Sequence, residues 1–167
     1  MRINIIISVI FTLFIGLAAA LTALPGFTVS TVFANHEYAA NLTGQQEVPP
    51  VDSQATGEAS FVPVTPNNET IDFFVNATGI EAVTQGHIHG APEGENGPIV
   101  VTLFKYDSAQ NDVLENGTIA ANNLEGPLQG KTISDLIATM KNGSAYVNVH
   151  TDQNPNGEIR GQLVDIQ

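Results

Sequence analysis

The chain has 167 residues, with 17 acidic and 5 basic side chains, a formal charge of −12 and no cysteine. Nucleic-acid binding is excluded, because phosphates call for clustered Lys and Arg, and docking on anionic lipid fails for the same reason. Disulfides, thiolate metal sites and cysteine nucleophiles are excluded too, so the fold must be held by its core or by bound metal.

Residues 1–34 read as a targeting segment. Arg2 is the only charge before Glu37, and an apolar run from Ile3 through Leu24 follows it. A positive start, an apolar middle and the small residues around Val32-Phe33-Ala34 make a secretory signal cut after Ala34. An uncleaved anchor is the alternative reading, since about 20 apolar residues span a bilayer. Only in that case is a membrane a partner. Cleavage leaves residues 35–167, a single domain of 133 residues with a charge of −13. The expected location is outside the cytoplasm, secreted or on the cell surface.

The remainder reads as short strands divided by turns. Glu37–Thr43 is a first strand, and Ala55–Val64 follows the loop of Val48-Pro49-Pro50. Thr70–Thr78 alternates with period two, Ile71, Phe73, Val75 and Ala77 on one face, which marks a half-buried strand. Val83–His89 and Ile99–Tyr106 flank a Gly- and Pro-rich loop over residues 90–98, long enough to carry a task. Residues 117–128 read as a short strand and a turn. Thr132–Lys141 is the one helix, with Ile133, Leu136, Ile137 and Met140 on one stripe and Asn142-Gly143 as the stop. Ser144–His150 and Gly157–Val164 form a closing hairpin. Seven or eight strands with one short helix predict an all-β, antiparallel sandwich or barrel. Five Asn-x-Ser/Thr sequons start at Asn41, Asn68, Asn76, Asn116 and Asn142, a number that an Asn- and Thr-rich β protein also reaches by chance.

The sharpest chemical feature is His87-Ile88-His89. On a strand both imidazoles stand on one face while Ile88 packs on the other. In the last hairpin Tyr146, Asn148 and His150 share a face. If the two strands are neighbours, His87, His89 and His150 converge, and three imidazoles at about 2.0–2.1 Å suit zinc or copper. His36, the second residue after the cut, is a possible extra ligand. The plainer reading leaves these histidines as polar residues on a solvated face. Glu93, Glu95, Asp152 and Glu158 lie in adjoining loops and are candidates to orient the imidazoles. Asp152-Gln153-Asn154-Pro155-Asn156-Gly157 lacks the later bidentate acid of a calcium loop and reads as a turn. Arg160 is expected to pair with Glu158 on the same face of its strand, with anion steering near the histidines as the other reading.

His87-Ile88-His89-Gly90, Gly97 through Phe104, and Ala145 through His150 leading to Asn154-Pro155-Asn156-Gly157-Glu158-Ile159-Arg160-Gly161-Gln162-Leu163 together resemble the CHRD (chordin-type) domain family. Leu42-Thr43-Gly44-Gln45-Gln46-Glu47-Val48-Pro49-Pro50 is similar to the same pattern. The resemblance covers residues 38 to 164 and is closest to the small exported microbial members. It implies an immunoglobulin-like, Greek-key type of β fold, extracellular placement and no established enzymatic activity. The family's His-x-His-Gly and the histidine of Asn-Val-His-Thr fall on His87, His89 and His150. Three functions follow as expectations: an exported domain holding copper or zinc, a metal-free cell-surface domain meeting a protein or glycan through its loops, and a copper oxidoreductase. The last is resemblance of fold to copper-zinc superoxide dismutase, whose pattern needs more histidines than this chain has. No nucleophile-base-orienter set is visible, so no catalytic residue is assigned.

Overall fold

A computed structural model describes residues 37–64 and 69–166. The leader, the cut after Ala34, His36 and Asn68 lie outside the described residues. The strands are β1 (Tyr38–Thr43), β2 (Thr56–Val64), β3 (Thr70–Thr78), β4 (Val83–His89), β5 (Ile99–Gln110), β6 (Val113–Ala120), β7 (Tyr146–Thr151), β8 (Ile159–Gln162) and β9 (Val164–Asp165). One helix, α1 (Ile133–Lys141), lies between β6 and β7.

All nine strands belong to one antiparallel sheet in the order β5-β4-β7-β8-β1-β2-β3-β6, with β9 beside β1. Its two ends, β5 and β6, are consecutive in sequence and joined through Asn111 and Asp112, which draws the edges together and nearly closes the sheet. Asp112 holds that corner by accepting from Gly79 N at 2.9 Å and donating its own N–H to Ile80 O at 3.0 Å. Of the two expected architectures, the barrel-like one is found. Closure suits an antiparallel sheet because it leaves few backbone groups unpaired at an edge.

The alternation read from Thr70–Thr78 is the observed strand. Ile71, Phe73, Val75 and Ala77 are buried, while Asp72, Phe74 and Thr78 are exposed. Pro63 does not end β2 as its chemistry suggests. Pairing of β2 with β1 is described as far as Tyr38 opposite Phe61, and Pro63 continues the strand opposite Ile71 of β3. β5 runs beyond Tyr106 to Gln110, and β6 spans Val113–Ala120, beginning four residues before the short strand read within residues 117–128. Both extensions are polar on their outer face, with Leu114 exposed, so hydropathy gave little warning of them. Residues 121–123 and 126–128 are single 3-10 turns.

Thr132 starts α1 by accepting from Asp135 N at 3.3 Å, and Asp135 returns the favour by accepting from Thr132 N at 2.8 Å. The predicted stripe closes over the core, burying Ile133, Leu136 and Met140. Gly143, at φ 67°, ends the helix in the left-handed region. The core itself is filled from Tyr38, Leu42, Phe61, Ile71, Val75, Ile88, Val147, Val149 and Ile159 among others. Each such side chain contributes about 1.5–3 kcal/mol by leaving water.

Candidate metal centre

Adjacent strands β4, β7 and β8 build a ladder of polar side chains on the face turned away from that core. One rung runs His87, Asn148, Arg160, and the next runs His89, Tyr146, Gln162, while His150 lies opposite Gln85. The alternate residues Ile88, Val147, Val149 and Ile159 are fully buried in the core. The polar face is buried as well, and every residue of β7 is inaccessible. Three loops cover it. The 90–98 loop is closed by Gly90 N donating to Pro98 O at 2.9 Å and reaches across through Asn96 Nδ2, which donates to Val48 O at 2.7 Å. Gly97 N donates to the Tyr146 hydroxyl at 3.2 Å. Residues 44–53 and 152–158 supply the other two covers.

The three imidazoles meet beneath these loops, and their ligand atoms all lie within 4.8 Å of one another. Ring centroids are separated by 4.8 Å for His87 and His150, 5.6 Å for His87 and His89, and 5.8 Å for His89 and His150. Backbone carbonyls fix two tautomers. His89 Nδ1 donates to Gly97 O at 2.9 Å and His150 Nδ1 donates to Pro155 O at 3.1 Å, because a carbonyl can only accept. Both residues therefore turn an unprotonated Nε2 inward. His87 Nδ1 sits 3.0 Å from His150 Nε2 and donates to it. His89 Nε2 is buried with no hydrogen-bond partner among the described residues, a costly arrangement for a polar atom.

Burial keeps the rings neutral. His87 is lowered from 6.5 to about 3, first by desolvation and then by His150 and His89. His150 falls to about 4, again chiefly by desolvation, against the opposing pull of its Pro155 hydrogen bond. His89 is lowered by desolvation, with the Arg160 charge adding to it and the Gly97 bond resisting. Neutral imidazole is the ligand form of histidine. A tetrahedral ion with bonds of about 2.0–2.1 Å spaces its ligands by about 3.4 Å. The 3.0 Å contact and the 4.8 Å limit bracket that spacing. Accepting an ion requires His87 to move its proton to Nε2 and a small contraction of the site.

Carbonyls of Gly97 and Pro155, rather than the loop acids, orient the rings. Glu93 and Asp152 are exposed, and Glu95 contributes only its backbone oxygen, to Arg160. Glu158 binds Ser53, Thr151 and Asn154 at 2.8, 2.8 and 3.1 Å, which ties the covering loops down. Nor does Arg160 pair with Glu158. It is only 2% exposed, donates to Asn96 Oδ1 at 3.1 Å and Glu95 O at 2.8 Å, and lies 3.4 Å above the Tyr146 ring. Tyr146 in turn stacks on His89 at 4.9 Å, with planes 10° apart. Arg160 thus belongs to the histidine neighbourhood, as the second of its two readings had it.

Glu47 was not foreseen as a site residue. It is 6% exposed, its carboxyl is raised to about 7 by burial against the opposing Arg160 charge, and Asn148 Nδ2 approaches Oε2 at 3.5 Å. It stands where two shallow clefts meet, of about 300 Å³ and 260 Å³. No periodicity marks it, since it lies on a loop. That Tyr146, Asn148 and His150 share a face was legible from period two, but the burial of that face was not.

Among known families, the model described as CHRD domain matches residues 38–163 of this chain. No curated protein matches it, and neither does any solved structure.

Proposed function

The chain belongs to the CHRD domain family, and from that premise we propose that it is an exported binding protein holding one transition-metal ion, copper or zinc, on His87, His89 and His150. The reading is carried by the buried, unpartnered Nε2 of His89 beside two more neutral imidazoles. A cation placed there turns an unsatisfied acceptor into a bonded ligand, and the Gly97 and Pro155 carbonyls supply the outer contacts that keep such ligands aimed. Burial of the centre under three loops favours retention of an ion over rapid exchange with solvent. A leader of residues 1–34 places the domain outside the cytoplasm. No helix among the described residues is long and apolar enough to cross a membrane.

The test is metal content and titration of the purified protein beside a His87→Ala/His89→Ala variant. One equivalent of copper or zinc on the parent and none on the variant is the expected result. Equal content in the two sinks the proposal and leaves a metal-free interaction domain, with the loop over residues 90–98 as the surface to probe next.

A further inference from the structure

Arg160 raises a question that the three ligands leave open. A buried cation beside a metal site opposes the metal, yet the guanidinium is 2% exposed and donates hydrogen bonds to neutral partners, the Asn96 amide oxygen and the Glu95 carbonyl. Its flat face rests on Tyr146, and that ring also stacks on His89. We propose that this centre selects by ionic charge and takes copper(I), with Arg160 as the residue that sets the preference over divalent ions. The inference rests on the metal-binding reading above.

Two observations converge on it. The ligand set is uncharged, because two tautomers are locked by carbonyls and all three rings are buried. A divalent ion sheds far more hydration energy than a monovalent one on entering a dry site, and neutral nitrogens alone return less of it. The buried acid Glu47 is held by Asn148 and lies outside the group of ligand atoms.

Repulsion from a fixed charge grows in proportion to the charge of the ion. The stacking distances of 3.4 Å and 4.9 Å keep the guanidinium within about 8 Å of the His89 ring. At that range and an effective dielectric of about 20, the repulsion weakens a monovalent ion on the order of thirtyfold and a divalent ion on the order of a thousandfold. The divalent penalty is the square of the monovalent one, whatever the dielectric.

The experiment measures copper(I), held anaerobically against a chromophoric chelator, and zinc(II) against its own chelator, on the full-length protein and on Arg160→Gln and Arg160→Lys. Parent protein is expected to hold copper(I) more tightly than zinc(II). Arg160→Gln should tighten zinc(II) on the order of a thousandfold and copper(I) on the order of thirtyfold, while Arg160→Lys stays within a few-fold of the parent for both ions. Equal gains for the two ions, or no gain in a variant shown by its melting curve to be folded, overturns the role of Arg160. Should the Gln variant fail to fold, zinc(II) held by the parent as tightly as copper(I) overturns the proposal without it. Failure of the parent to bind either ion removes the metal-binding reading itself, an outcome distinct from loss of selectivity.

Discussion

The two halves of the sheet obey different rules. On β3 buried and exposed residues alternate, so Phe73 and Val75 enter the core while Phe74 and Asp72 meet solvent. On β7 there is no such alternation, because Val147 and Val149 fill the core while Tyr146, Asn148 and His150 are buried on the other side. An antiparallel sheet ordinarily has one wet face. Polar side chains on a second dry face need hydrogen bonds, ions or protein dipoles to replace lost water. The difference teaches that the β4-β7-β8 half is built around the contents of a site, and the β2-β3-β6 half around the core alone.

The sharpest way to break that contrast is to cut both sides of the site half. Ile88→Ala removes a fully buried side chain between the two histidines of β4 and should cost about 2–5 kcal/mol in urea unfolding. A cost below about 1 kcal/mol would show that β4 is not anchored as described.

Acid should act on the site half next. His87 and His150 stand at about 3 and about 4 when folded, against 6.5 ordinarily. The unfolded chain therefore takes protons first, so stability present above pH 6.5 is lost as the pH falls towards 3. The slope is on the order of 1 kcal/mol per pH unit for each histidine. Glu47 has the opposite sign: raised from 4.5 to about 7, it contributes stability below pH 4.5 that is lost as pH rises through 7. Two histidines outweigh one carboxyl, so the melting temperature of metal-free protein should fall between pH 6.5 and 4. A flat profile would mean that the histidine face is wet.

A subtler probe is Gly157, where φ is 127° and an added Cβ would press on the Asn148 amide and on Glu47 Oε1. Gly157→Ala should cost about 1–3 kcal/mol in thermal or urea unfolding, through strain and displaced side chains. A neutral result would show that the cover over the polar face is loose. The smallest effect belongs to the other half. Leu114→Lys on β6, where Leu114 is 70% exposed, should change stability by no more than about 0.5 kcal/mol. A larger loss would reveal a second covered face there as well.

The same division governs what could be read from the residues alone. Thr70–Thr78, the helix stripe from Ile133 to Met140 and the shared face of Tyr146, Asn148 and His150 are local patterns, and each matches the structure. That β4 and β7 are neighbours is a fact of topology, which no local pattern encodes, so the meeting of His87 with His150 was conditional. Only the end of β6 was legible, because Gly117 and the polar residues around it carry no apolar rhythm. Arg160 was misassigned because its strand neighbour Glu158 offered charge at the right spacing. The preference it found instead, an aromatic face and two neutral oxygens, comes from other parts of the chain. Glu47 was unreadable for a similar reason, since its partner Asn148 is 101 residues away.

The contact between His87 and His150 spans 63 residues of sequence, and that separation sets when the centre can exist during folding. Neither local hairpins nor α1 can assemble it, because β5, β6 and the helix separate the two halves of the ligand set in sequence. Closing such a long loop carries an entropy cost that rewards nothing until the last strands pair. Sheets of high contact order accordingly form on the millisecond-to-second scale. Capture of the proposed ion would then be a late event, one that reports on a finished fold.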